Sequence, residues 1–93
     1  MKNPCTEQLI DAVIANDFNQ VTKLLALKLN PNVSLDRARI TPLHFAAQNN
    51  HTEIARLLIA AGANPNAKTH PEGSTPLDIA MLHKHLSMIK LLS

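Results

Sequence analysis

The chain of 93 residues has no tryptophan or tyrosine, two phenylalanines, two glycines and one cysteine. Each scarcity excludes something. With aromatics at 2% and apolar residues at 45%, a core has to be built from Leu, Ile, Ala and Val. Such a core suits close helix packing better than aromatic-rich strands. The lone thiol, Cys5, cannot form an internal disulfide, which fits a reducing compartment. Gly62 and Gly73 are too few for a phosphate-cradling loop. Missing base-stacking aromatics argue against nucleic acid as a partner. The formal charge is +2, with lysines and arginines scattered singly, so no polyanion is implied. No apolar run approaches the ~18–20 residues of a membrane span, and MKNPCTEQ lacks a signal peptide's apolar stretch. The expectation is one soluble, intracellular, cytoplasmic domain without membrane insertion and with a small stability margin.

What the chain does have is repetition. TPLHFA at Thr41 returns as TPLDIA at Thr75, and NPN at Asn30 returns at Asn64, both 34 residues on. QVTKLL at Gln20, EIARLL at Glu53 and SMIKLL at Ser87 step by 33 and then 34. Beneath these strings runs an i, i+3, i+4 apolar rhythm, the mark of one helical face. Ile10, Val13 and Ile14 precede Val21, Leu24 and Leu25; Leu43, Ala46 and Ala47 precede Ile54, Leu57 and Leu58; Leu77, Ala80 and Met81 precede Met88, Leu91 and Leu92. Two short helices per period follow. Thr41-Pro42 and Thr75-Pro76 each offer an N-cap hydroxyl and a proline at the first helical position. Gly62 sits where a left-handed residue would end a helix. Asn16-Asp17 and Asn49-Asn50 suit tight inter-helix turns, a place that Lys84 takes in the third unit. A helix pair this small buries its face only by stacking on neighbours.

The period, TPLHFA, the helix pairs and LLIAAGANPNAK at residues 57–68 together resemble the ankyrin repeat. The resemblance covers residues 7–93 and is strongest in the middle unit. It implies an all-α solenoid of helix–turn–helix units joined by hairpin loops. The units expected are 6–35 as an N-terminal capping repeat, 36–69, and 70–93, the last incomplete at its C-terminal end. Glu7, Gln8 and Asp11 would face water in the first unit. Arg39 replaces the hairpin glycine present as Gly73 in the next loop, and Asn30 is a candidate for the helix-ending role of Gly62. Because the chain stops at LLS, inside the last helix, Met88, Leu91 and Leu92 are expected to lack cover. A fragment of a longer array, a short protein binding something there, or self-association would each account for that.

His44 and His51, seven apart, raise the possibility of a metal or acid–base pair. The resemblance implies instead that both are structural, bonding loop backbone between units. Asp78 replaces the first of them one period later and His85 keeps the second, as a scaffold position permits. His83 and His85 are two ligands without further His or Cys, a poor zinc site. Asp11, Asp17 and Asp78 are isolated carboxylates. No catalytic, metal or cofactor residue is therefore expected.

The family binds proteins on a concave surface of hairpin tips and first helices. Carried onto this chain, the variable loop positions are Arg37, Ala38, Ile40, Pro71, Glu72 and Ser74. Those ending the first helices include Gln48, Asn49, Leu82 and His83, with Leu82 and Ile40 as apolar anchors and Phe45 in the core. The expected role is a protein–protein interaction module and scaffold without catalysis. The alternatives are a regulatory or targeting segment of a larger enzyme or effector, or a homo-oligomer formed through Met88, Leu91 and Leu92.

Overall fold

The computed structural model describes residues 4–27, 30–34, 39–70 and 72–93, with side chains from residue 7 onward. Six helices form among them: α1 (Pro4–Ile14), α2 (Phe18–Ala26), α3 (Pro42–Asn49), α4 (Thr52–Ala60), α5 (Pro76–Leu82) and α6 (Leu86–Leu92). No strand occurs among the described residues.

Local chemistry sets where each helix starts. Thr41 and Thr75 are extended caps followed by proline. In the third unit the cap is reciprocal: the Asp78 amide donates to Thr75 Oγ1 and the Thr75 amide to Asp78 Oδ2, both at 3.1 Å. The Asp17 carboxylate caps α2 by accepting from the Gln20 amide at 3.1 Å.

The helix ends share one device. After α1, α3 and α5 the chain turns through Asn16, Asn50 and Lys84, at φ of 56°, 57° and 56°. The following amide reaches back to a carbonyl five residues earlier: Asp17 to Ala12, His51 to Ala46, and His85 to Ala80, at 2.9–3.0 Å. Gly62, at φ 102°, ends α4 the same way, with Ala63 donating to Leu58. A Cβ at Gly62 would meet nothing within 4 Å, so its backbone angle alone selects glycine. Lys84 pays a left-handed penalty that Asn16 and Asn50 largely avoid. Lys84→Asn is therefore expected to stabilise the chain by about 0.5–1 kcal/mol. Urea unfolding should show a raised midpoint, and an unchanged one would mean the turn carries no such strain.

The loop before α5 closes as a hairpin. The Thr69 amide donates to the Ser74 carbonyl at 2.9 Å and the Gly73 amide to the Thr69 carbonyl at 2.8 Å. Arg39 takes the same left-handed conformation, φ 56° against 70° at Gly73. Asn30 Oδ1 accepts from the Asn32 amide at 2.9 Å, as Asn64 does from Asn66. Residues 28–29, which follow the α2 cap Leu27 and on which the expected helix-ending role falls, lie outside the described part.

First helices stack on first helices, α1 on α3 on α5, and second on second, α2 on α4 on α6. The core runs along the seam through Leu9, Val13, Val21, Leu43, Ile54, Leu58 and Met88, all fully buried. Phe45 is half-buried and packs against it. Ala46 and Ala47, also fully buried, keep α3 close to both neighbours.

The structure corrects two readings of the sequence. The turns at Asn16, Asn50 and Lys84 and the helix starts at Phe18, Thr52 and Leu86 both step by 34, so the repeat is 34 throughout. Val21 then corresponds to Ala55 and not to Ile54. The positions of Ile54 and Met88, both buried, are filled in the first unit by Gln20, which is exposed. Lys23, likewise exposed, stands where Leu57 and Leu91 are half-buried. In the second and third units these positions look back toward the preceding unit, α4 packing on α2 and α6 on α4. Met88 consequently does not belong to an uncovered face: it is buried, with α6 packed on α4. Leu91 and Leu92 are half-buried.

Candidate interaction surface

Three histidines tie the units together. The His44 Nδ1 accepts from the Thr41 amide at 3.0 Å, with the Thr41 hydroxyl 2.8 Å away. That fixes the ring proton on Nε2, which donates to the Ser74 carbonyl of the next loop at 2.9 Å. His51 Nε2 lies 3.3 Å from the Ile14 carbonyl, and His85 Nε2 lies 3.0 Å from the Gln48 carbonyl. Each of these latter bonds spans 37 residues and joins the start of a second helix to the end of the preceding unit's first helix. His44 sits within α3 and His51 caps α4, so they do not share one helix face. Asn32 adds a further link, its Nδ2 donating to the Gly62 carbonyl at 3.0 Å and its Oδ1 accepting from the Asn64 amide at 2.6 Å. This tie was not foreseen from sequence, although NPN recurring in register was its signal.

His44 is 1% exposed, the most deeply buried titratable side chain in the seam. Burial holds its imidazole below the ordinary value of 6.5, against the opposing pull of backbone hydrogen bonds to Ser74 and Ala67. The exposed side chains of the third unit stand apart from this. The His83 and His85 rings stack at 5.6 Å and 16°, an arrangement in which the two rings lie over each other and do not converge on one point. No group of three or more His, Cys, Asp or Glu able to hold a metal occurs among the described residues.

The surface residues expected from sequence divide by location. Gln48 and Asn49 end α3, with Leu82 at the end of α5 and His83 as its cap; all four are exposed. Register places Gln48 and Leu82 one unit apart, with Ile14 one unit earlier. Glu72 is exposed at the loop tip. Ile40 and Ser74 are half-buried, and Ser74 is engaged: its amide donates to Thr69 Oγ1 at 3.1 Å and its carbonyl accepts from His44. Arg37, Ala38 and Pro71, and the side chain of Cys5, lie outside the described residues. The structure thus brings the helix-end positions into one register and leaves Ser74 partly committed to the scaffold.

Among the described residues no helix is long and apolar enough to cross a membrane. A family model described as ankyrin repeats, in three copies, matches residues 9–93. No curated protein matches the chain.

Proposed function

Because this chain belongs to the ankyrin-repeat family, whose members are generally protein–protein interaction modules and typically non-catalytic, we propose that it binds a partner protein on the surface formed by its loop tips and first-helix ends, and carries out no chemistry of its own. The residues assigned to contact are Ile40, Gln48, Asn49, Glu72, Ser74, Leu82 and His83, together with Arg37, Ala38 and Pro71 of the loops. One observation carries this reading. The stack takes only a backbone carbonyl from Gln48, so the exposed side chain there serves no packing role. Leu82, its mate one unit on, is the most exposed large apolar side chain of the described core and surface. Leaving such a side chain in water is unfavourable unless something covers it. The scarcity of cysteine favours an intracellular, cytoplasmic setting, and a scaffolding role follows from the same reading.

Affinity capture tests the site. Wild-type chain and a Gln48→Arg, Glu72→Arg variant, both with the same far-ultraviolet dichroism, are used as bait in cell lysate. A protein retained by the first and lost by the second is the expected outcome. Equal retention by both would remove the loop and first-helix surface from consideration.

A further inference from the structure

The first and second helices turn outward stripes of unlike composition to water. On α1, α3 and α5 one row of register-mates is Ile14, Gln48 and Leu82, and the row three residues before it is Asp11, Phe45 and Ile79. On α2, α4 and α6 two outer rows at the same spacing are Asn19, Glu53 and Ser87, then Thr22, Arg56 and Lys90, all exposed and none apolar. A helix face that meets only solvent is polar in this way. Four of the six first-helix side chains are apolar instead. Ile14 and Leu82 are exposed, while Phe45 and Ile79 rest partly on the core and stay half-open.

This openness belongs to the stack itself. Gln48 is exposed although a first helix packs on either side of α3, and Ile14 stays 46% exposed with α3 stacked ahead of it. Beneath the row one contact recurs, His51 Nε2 with the Ile14 carbonyl and His85 Nε2 with the Gln48 carbonyl. It sets the mates at like places on successive helices.

Chemistry narrows the occupant. Asp11 is the only formal charge in the two first-helix rows. A partner's charge set against Phe45, Ile79 and Leu82 would be desolvated without a counter-charge, so an uncharged partner fits. At the centre, the side-chain amides of Gln48 and its neighbour Asn49 engage no other described residue. A carboxamide offers both a donor and an acceptor, which matches the N–H and C=O of an extended backbone. A helix keeps those groups paired within itself. Distance then sets a spacing. Packed helices lie about 8–10 Å apart, which puts Ile14 and Leu82, two steps apart, at about 16–20 Å. An extended chain rises about 3.3 Å per residue and returns to one face every second residue, so about six residues cover the span.

We infer that the outer stripe of the first helices, Ile14, Phe45, Gln48, Ile79 and Leu82, binds an extended, uncharged segment of another protein. Its apolar side chains stand about six residues apart, and its backbone meets the Gln48 and Asn49 amides. This rests on the protein-binding reading above and names the kind of segment that such a partner presents.

The test pans a phage-displayed library of random peptides, about 12 residues long to hold the spacing and its flanks, on the full chain. An enriched peptide is then titrated by fluorescence anisotropy. Four variants with unchanged far-ultraviolet dichroism are compared: Ile14→Glu, Leu82→Glu, Gln48→Ala with Asn49→Ala, and Arg56→Glu with Lys90→Glu on the second helices. The expected peptides are uncharged, with apolar residues about six apart. Their binding should fall about ten-fold or more, roughly 1.4 kcal/mol, for each of the first three variants and hold for the fourth. Raising salt from about 0.05 to 0.5 M should change affinity by less than about two-fold, since no ion pair is there to be screened. Should Ile14→Glu fail to fold, Leu82→Glu decides alone, its position being 78% exposed. Charged peptides, apolar residues three or four apart as a helix presents them, affinity unmoved by the first three variants, or no enrichment at all would overturn the inference. A dimer of the chain that disperses on Leu82→Glu would overturn it in favour of a second copy. A lysate partner lost on the Gln48 and Glu72 changes, with no such peptide enriched, removes the extended segment and leaves the protein-binding reading standing. Neither partner nor peptide removes both.

Discussion

Truncating Leu43 to alanine is expected to remove about 2–5 kcal/mol of stability, enough to unfold much of the chain at room temperature. Leu43 is fully buried in α3, the middle first helix, which packs on both α1 and α5. A solenoid's stability is close to the sum of unit terms and nearest-neighbour interfaces. A cavity at Leu43 loosens the central unit, whose first helix packs on the first helices of both neighbours. The helices packed around it, α1, α4 and α5, are held in place by the tight turns that follow them, so they have little freedom to collapse into the space. Urea unfolding followed by far-ultraviolet dichroism reads the effect. Leu27→Ala, at an exposed position, serves as control and should stay within about 0.5 kcal/mol of the parent. A Leu43 variant as stable as that control would mean the central seam is not where the fold is held.

Replacing His44 by alanine is the second large effect. The change leaves the Thr41 amide without its partner in a site that is nearly closed to water, while the Ser74 carbonyl loses one bond and keeps the one from the Thr69 amide. An unsatisfied buried polar group costs about 1–3 kcal/mol, and a loss of that size is expected. The same residue sets a pH dependence. With the folded imidazole held below 6.5, the unfolded chain binds more protons than the folded one as pH falls past that value. The neutral ring's contribution is therefore complete above 6.5 and is lost progressively as acidity rises toward the folded value. Protonation would also put a hydrogen on Nδ1, the atom that accepts from Thr41. Wild type should lose stability between neutral and mildly acid pH, and His44→Ala should show a flatter profile there. Parallel profiles would assign the acid sensitivity to another group.

Much of this architecture was readable from residue order, and the limits have a physical cause. Proline after threonine, glycine after an apolar run and asparagine between helices act over three or four residues, so local sequence reports them faithfully. The roles of His44, His51 and His85 came from resemblance, and their bonds to neighbouring units bear it out. What periodicity could not give was direction. A helix of two turns in the middle of a stack is apolar on two sides, toward the unit behind and the unit ahead. The triplet Met88, Leu91 and Leu92 was read as one uncovered face, yet Met88 faces back into the core and Leu92 is the register-mate of forward-facing Leu58. The same ambiguity hid the offset of the first unit, where QVTKLL matches by letters at 33 and by structure at 34. Exposed Gln20 and Lys23 distinguish the two registers only when their neighbours are known. Arg39 was unreadable for a different reason, since no side-chain preference marks an arginine for the left-handed region that it adopts.

The inter-unit histidine bonds are one-sided. His44, His51 and His85 supply a specific ring nitrogen, but Ser74, Ile14 and Gln48 answer with a backbone carbonyl, which every residue type possesses. Joints of this kind place a demand on the donor's identity and none on the acceptor's. Substitution at positions 14, 48 and 74 can therefore proceed in lineages without loosening the stack. Two of those three positions, 48 and 74, belong to the surface assigned to partner recognition, so the scaffold leaves its recognition residues open to diversification while its own fastenings stay put.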